Sequence, residues 1–283
     1  MDKDRITRFD KRSHALKTYA AGRWGEEMPC PLRLVANPYK GCGYHCKHCY
    51  VWSSCRPKAR EGFAKALPHN IARAKREGFG GCPVIMSPST DPLQPLELKE
   101  QLTLFALREL LAADFQVIVM TRNPSLLLEK QYLEMTLNER LFVDVSIPSI
   151  TEGDPRSIFV SGAPSVNERL IAIGRLSDLG KYVRVKIDPI VPSLKGLVSG
   201  QTEQDLWELV GLLKEAGCRM VVAKTLRMND DVPANLCSLL EYYKANGIQE
   251  GINWVLPPKI RRGLLRPLVE ACRHHGVLFC PCV

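Results

Sequence analysis

At 283 residues, 45% hydrophobic and 24% charged, the chain is long enough to bury a full core and reads as globular. No apolar run approaches the ~20 residues a membrane helix needs, and the opening MDKDRITRFDKRSHALK lacks the apolar centre of a signal peptide. A cytoplasmic enzyme or binding protein without membrane contact is expected. The formal charge of +9 suits an anionic partner such as nucleic acid, although no basic run interleaved with aromatics stands out.

After a polar leader (1–30), short β-branched runs alternate with amphipathic helical stretches. The runs LRLVA (32–36), PVIMS (83–87), FQVIVMT (115–121), LFVDVSI (141–147), YVRVKID (182–188) and CRMVVAK (218–224) predict strands. They are short and almost continuously apolar, as parallel strands buried on both faces are. Helices are predicted over 66–78, 96–113, 124–138, 165–179 and 202–216. The stretch SVNERLIAIGRLSDLGK carries its own signals, a serine or asparagine to start the helix and Gly180 to stop it.

Six β/α units in series imply α/β architecture with a parallel sheet and right-handed crossovers. A complete eight-unit barrel needs ~250 residues, and leader and tail use much of the chain. An open six-unit (β/α)6 partial barrel over 31–225 is expected, in one domain. Residues 226–283 form an extension packed on it, ending in a helix and a short strand.

The segment NPYKGCGYHCKHCYVW places Cys42, Cys46 and Cys49 within eight residues, just after the first core strand. That is the sheet edge where α/β folds put their chemistry. With eleven cysteines, an odd number, and no sign of secretion, metal or redox chemistry outranks disulfides. A structural zinc site wants four ligands. His45 or His48 could be the fourth, although neighbours in so short a loop reach one tetrahedral ion with difficulty. A 4Fe–4S cluster on three thiolates leaves one iron without a protein ligand, open to a small molecule.

The C-x3-C-x2-C spacing resembles the cluster motif of the radical S-adenosylmethionine (radical SAM) superfamily. The blocks NPYKGCGYHCKHCY, SPSTDPLQPLE, VIVMTRNPSLL, VDVSIPSI and GAPSVNERLIAIGRLSDLG look like those of its spore photoproduct lyase-related, DNA repair photolyase-like group. The resemblance covers roughly residues 30–225. It implies the six-unit partial barrel, a 4Fe–4S cluster on Cys42, Cys46 and Cys49, and SAM cleaved at the open iron to a 5′-deoxyadenosyl radical. It also implies an electron donor such as flavodoxin or ferredoxin.

By position, the resemblance places His48 on the adenine and the loop Ser89–Thr90–Asp91 near the methionyl amino group. Arg122 falls on the carboxylate, where the group commonly has lysine, and Ser146 matches a serine that reaches SAM. Lys186 and Asp188 alternate with apolar neighbours and so point to one face. If that face is interior, Lys186 is too costly to bury unpaired and becomes a substrate or SAM contact.

Two features depart from that pattern or add to it. Spore photoproduct lyase uses a cysteine just before its counterpart of the Ser89–Asp91 loop to return hydrogen, and here Pro88 or Ser89 stands there. Cys82 sits at the far end of the second strand, and Tyr50 or another cysteine is left as a substitute. In the tail, the spacing of Cys272, Cys280 and Cys282 admits an auxiliary cluster or metal site, with Cys30, Cys55, Cys237 or His275 as a fourth ligand. The reading is a radical SAM enzyme acting on an unidentified substrate, a nucleic-acid base or else a peptide or small metabolite. The rival is a non-catalytic zinc- or iron–sulfur-bearing nucleic-acid-binding protein.

Overall fold

A computed structural model describes residues 3–19, 32–49, 56–194, 198–232 and 234–282. The chain divides into two compact units, Met1–Gly43 with Ser54–Asp144, and Tyr44–Ser53 with Val145–Val283. Cys42 therefore belongs to the first unit, and Cys46 and Cys49 to the second.

The first unit opens with α1 (Lys3–Arg12), β1 (Leu16–Tyr19), β2 (Arg33–Ala36), β3 (Tyr39–Lys40), β4 (Lys58–Ala59) and α2 (Phe63–Arg76). It continues through β5 (Val84–Met86), α3 (Glu97–Glu100), α4 (Leu102–Ala112), β6 (Val117–Thr121), a 3-10 turn (Pro124–Leu128) and α5 (Lys130–Leu137) into β7 (Leu141–Ser146). Strands β2, β5 and β6 run parallel in register, Leu34 beside Val84 beside Val117. All three side chains are fully buried, which is why these strands read as unbroken apolar runs.

The segment expected as a polar leader supplies α1 and β1, and β1 pairs antiparallel with β2. Its anchor is Asn70 on α2, whose buried Oδ1 accepts from the amides of His14 (2.9 Å) and Ala15 (2.8 Å). An edge strand of four residues that alternates buried and exposed positions leaves little hydrophobic signal in the sequence.

The second unit takes in the end of β7, then α6 (Val166–Asp178), β8 (Val183–Ile190), α7 (Glu203–Glu215), β9 (Met220–Thr225) and α8 (Cys237–Asn246). The hairpin β10 (Ile248–Glu250) and β11 (Asn253–Val255), α9 (Pro258–His275) and β12 (Leu278–Pro281) complete it. Strands β8, β9 and β12 are parallel and in register, Arg184 beside Met220 beside Leu278. The expected extension thus adds a parallel strand as well as helices. Sequence reading missed α8 and the hairpin; α8 is ten residues long, too short for periodicity to mark it. It buries Leu239 and Tyr243 beside Phe159 and Leu256, and the Tyr243 hydroxyl donates to the Leu226 carbonyl at 3.0 Å.

All six predicted strands form within two residues of their expected limits, and the fold is α/β with a mostly parallel sheet and covering helices. Helix α6 starts where expected: Ser165 Oγ accepts from the Glu168 amide (3.2 Å), and Glu168 accepts from the Ser165 amide (2.7 Å). Just beyond its end, Gly180 takes the left-handed conformation (φ 76°) that glycine permits.

Inside the second unit lies a buried ion pair. Arg169 on α6 and Glu152, both almost completely buried, meet at 2.5 Å, and Arg169 also donates to the Ser146 carbonyl at 2.6 Å. Glu152→Ala leaves a buried guanidinium uncompensated, and a loss of about 3–5 kcal/mol is expected in chemical denaturation. Removing the solvent-exposed pair Arg156–Asp154 should leave the midpoint essentially unmoved; equal losses from the two would contradict this account.

Candidate functional site

In the first unit, the cysteine loop leaves β2 through Asn37 and Pro38, passes along β3 and turns at Gly41 in the left-handed region (φ 71°). Its approach is fixed by Glu97, a completely buried carboxylate. The Tyr39 hydroxyl donates to it, as do the Tyr132 hydroxyl (2.5 Å) and the amides of Thr103 and Leu104 (2.9 Å each). Burial, reinforced by the carboxylate beside them, pushes both phenols well above the ordinary tyrosine range, so they remain donors. Three residues before Glu97, Gln94 is fully buried and bonds to the peptide groups of Gly41 and Gly43.

The loop after β5 carries three expected site residues. Ser89 is exposed and Thr90 half-buried. Asp91 is buried, and both its oxygens serve the chain. Oδ1 accepts from the Leu93 amide and the Thr121 hydroxyl, each at 2.8 Å, and Oδ2 from the Arg122 amide at 2.6 Å. Burial raises this carboxyl above the usual range, while those donors and the Arg122 charge pull it down. Asp91 therefore locks its loop to the end of β6, where the buried Arg122 stands.

Sequence reading missed two neighbours here. Asn37 Oδ1, Ser87 Oγ and Thr90 Oγ1 are buried polar atoms without a hydrogen-bond partner among the described residues. Ser87 is also one of the few non-glycine residues with positive φ (51°). Its amide donates to the Ala36 carbonyl (2.9 Å), and its carbonyl accepts from the Thr90 amide (3.1 Å). Strain and unpaired buried polar atoms together are features of ligand sites.

In the second unit the loop runs beside residues 155–162. The Gly162 amide donates to the Tyr44 carbonyl (2.7 Å), the Lys47 amide to Val160 (3.0 Å) and Lys47 Nζ to Pro155 (2.8 Å). His48 is buried, its ring 5.5 Å from that of Phe159 and its Nδ1 3.2 Å from the Ile158 carbonyl. The Cys49 amide closes a turn onto the Cys46 carbonyl at 3.1 Å. Residues 50–55, including Tyr50 and Cys55, lie outside the described residues, as does Cys30.

Ser146 and Lys186 come together on adjacent strands. The Ile147 amide donates to the Lys186 carbonyl (3.0 Å), which sets Ser146 level with Lys186, and Lys186 is level with Val222 and then Cys280. Strand spacing puts neighbours in this row about 5 Å apart. The same face carries Arg184, Asp188 and Lys224, all partly exposed, whereas Val183, Val185 and Ile187 on the other face are fully buried. Lys186 pairs with Asp188 at 3.5 Å.

No protein-family model matches the sequence, and no curated protein sequence is similar to it. Solved structures do match. Spore photoproduct lyase complexed with dinucleoside spore photoproduct superposes with a TM-score of 0.63 at 15% identity, over 86% of this chain and 75% of that one. Streptococcus suis SuiB bound to S-adenosylmethionine gives 0.58 at 12% identity, over 88% of this chain and 50% of that one. SuiB bound to its precursor peptide SuiA gives 0.60 at 13% identity, so this chain spans about half the length of SuiB. The fold is that of the radical SAM enzymes.

The donors that a radical SAM cluster takes from the chain are three thiols. Cys42, Cys46 and Cys49 are partly exposed and none is in a disulfide. Three sulfur donors in one short loop fit a three-thiolate 4Fe–4S cluster in number and kind. Of the two histidines in the loop, His45 is exposed and His48 is buried with Nδ1 against the Ile158 carbonyl. Among the described residues no three His, Cys, Asp or Glu side chains converge into a ready metal site.

Nothing among the described residues supports the auxiliary site expected at Cys272, Cys280 and Cys282: Cys272 is buried on α9, Cys280 is exposed on β12 and Cys282 is partly exposed. Of the fourth ligands considered, Cys237 is exposed at the start of α8, and His275 packs against Trp207 and His274. Burial pushes the Cys218 thiol up to about 11 and, with Cys218 nearby, the Cys272 thiol up to about 12. At pH 8 iodoacetamide should label Cys280 in the native protein, and Cys218 and Cys272 only after unfolding. Their folded values lie above the ordinary thiol value of 9.0, so the unfolded chain loses these protons first as pH rises. Stability should therefore decline from about pH 9 upward, read by denaturant midpoints across pH; a flat profile would contradict the burial.

Proposed function

We propose that the protein is a radical SAM enzyme, with Cys42, Cys46 and Cys49 as cluster ligands. The observation that carries this is the placement of three thiols in the loop leaving β2 of a radical SAM fold. A 4Fe–4S cluster bound there would supply the electron that splits SAM. The chain's own residues bind and orient the cosubstrate. The hydroxyls of Thr90 and Ser87, buried and without partners among the described residues, suit the methionyl ammonium. Asp91 acts one step back, holding that loop against β6. In the first unit Arg122 is the candidate for the carboxylate; in the second, Ser146, Lys186 and His48 are candidate SAM contacts, with the Ser146 carbonyl held by Arg169. Reduction is supplied by a one-electron donor such as flavodoxin or ferredoxin.

The test is anaerobic reconstitution with iron and sulfide, reduction, and assay for 5′-deoxyadenosine. Brown protein whose electron paramagnetic resonance spectrum shifts on adding SAM is expected, and Cys46→Ala should abolish SAM cleavage. Zinc-loaded, colourless protein, or turnover surviving in Cys46→Ala, would overturn the assignment.

The substrate reading rests on the face shared by β8 and β9. With Lys186 paired to Asp188, Lys224 adds a positive charge to that face, and it favours a substrate bearing anionic groups such as a nucleic-acid segment. Spore photoproduct lyase, as complexed with a dinucleoside photoproduct, is in keeping with this. Pro88 and Ser89 stand where that enzyme's hydrogen-returning cysteine would be, so repair by that donor is not proposed. Oligonucleotide binding should weaken steeply from 50 to 200 mM salt, and Lys224→Glu should lower it severalfold; binding insensitive to both would point to a neutral peptide or metabolite.

A further inference from the structure

We infer that Gln94 is the positioning residue for Cys42, acting through the two peptide groups that flank it. The inference rests on the cluster reading above. Gln94 is fully buried, and its amide has one donor and one acceptor engaged. Nε2 donates to the Gly41 carbonyl at 3.1 Å, and Oε1 accepts from the Gly43 amide at 2.9 Å. Both bonds reach across more than fifty residues of sequence, and both land immediately beside Cys42.

Three properties separate this from ordinary core filling. A buried primary amide is costly unless its polar atoms are satisfied, so the loop must present a carbonyl and an amide at the right separation. The loop does this with Gly41 in the left-handed region (φ 71°). A Cβ built on Gly43 would meet Pro95 Cδ at 3.4 Å and Gln94 Oε1 at 3.7 Å, so only about a methyl group's room separates the loop from the residues that hold it. Finally, Gln94 is itself held on both sides. Asp91, three residues earlier, bonds to the end of β6, and Glu97, three residues later, takes the hydroxyls of Tyr39 and Tyr132. The stretch DPLQPLE is a bracket with two fixed ends, and Gln94 is the arm that reaches the cysteine.

Cys46 and Cys49 are held otherwise, by main-chain bonds of residues 44 and 47 to residues 160 and 162. Loss of the Gln94 amide should therefore loosen Cys42 alone. Gln94→Met keeps the length of the side chain and removes both hydrogen bonds; Gln94→Glu keeps the acceptor for Gly43 and loses the donor to Gly41.

The measurement is pulse alkylation of the reduced, metal-free protein with iodoacetamide, followed by peptide mass spectrometry. In Gln94→Met the Cys42 rate should rise about tenfold, the scale of losing two buried hydrogen bonds, with Cys46 and Cys49 changing less than about twofold. Gln94→Glu should fall between, which keeps the test available if the methionine variant does not fold. After reconstitution, iron and sulfide per chain should drop in the same order. An unchanged Cys42 rate in a folded Gln94→Met, or a parallel rise at all three cysteines, overturns the inference. If wild-type protein assembles no cluster, the functional reading fails while the alkylation pattern still decides the role of Gln94.

Discussion

A buried polar side chain must find partners for its donors and acceptors, and where those partners are peptide groups it dictates backbone shape. This constraint governs the first unit. Asp91, Gln94 and Glu97 lie within seven residues, all buried, and between them they engage the end of β6, the cysteine loop, Tyr39, Tyr132 and the start of α4. Without those bonds each group would cost about 1–3 kcal/mol or more, so the loop conformations that satisfy them are strongly favoured. The neighbouring Ser87 and Thr90 do the opposite. Their hydroxyl oxygens are buried without partners among the described residues, and Ser87 adopts a backbone conformation that L-residues avoid. Rigid, satisfied polar groups thus border unsatisfied ones, as the SAM contacts proposed above require.

In the second unit the organising feature is alternation along β8. Val183, Val185 and Ile187 are completely buried, while Arg184, Lys186 and Asp188 face the other way. Parallel strands usually bury both faces, and a charged face on one is tolerable only where water or a ligand meets it. Because β8, β9 and β12 are in register, that charge is a coherent surface rather than scattered positions. The Arg169–Glu152 pair behind it holds the Ser146 carbonyl and so fixes one end of the row.

The parts of this design that could be read from the sequence are those whose physics is local or repetitive. Buried parallel strands announce themselves as apolar runs, and α6 is announced by the Ser165 cap and Gly180. Ser146 and Lys186 were both singled out before their adjacency on neighbouring strands was known. What escaped was polar burial. Gln94, Glu97 and Arg169 look like surface residues in any composition-based reading, because nothing local says that distant peptide groups will surround them. Asp91 is expected as a ligand contact; its bonds to Thr121 and Arg122, thirty residues away, leave no trace in the sequence. Sequence spacing likewise cannot tell that Cys272 lies buried on a helix while Cys280 stands exposed on a strand.

The two flanks of the cysteine loop are held by different chemistry, and this determines what the sequence can reveal of each. Bonds from residues 44 and 47 to residues 160 and 162 run between main-chain groups that every non-proline residue carries, so many side chains at 158–162 would serve equally well. The hold that Gln94 places beside Cys42 passes through a side chain with a defined length and a donor and acceptor in fixed relation. Glutamate lacks the donor, asparagine is a methylene short, and methionine offers neither bond. A thiol fixed through backbone pairing leaves no residue-type signature, whereas one fixed through a buried amide demands glutamine at a single position. That is why the segment DPLQPLE is as informative about the cysteine loop as the cysteines themselves.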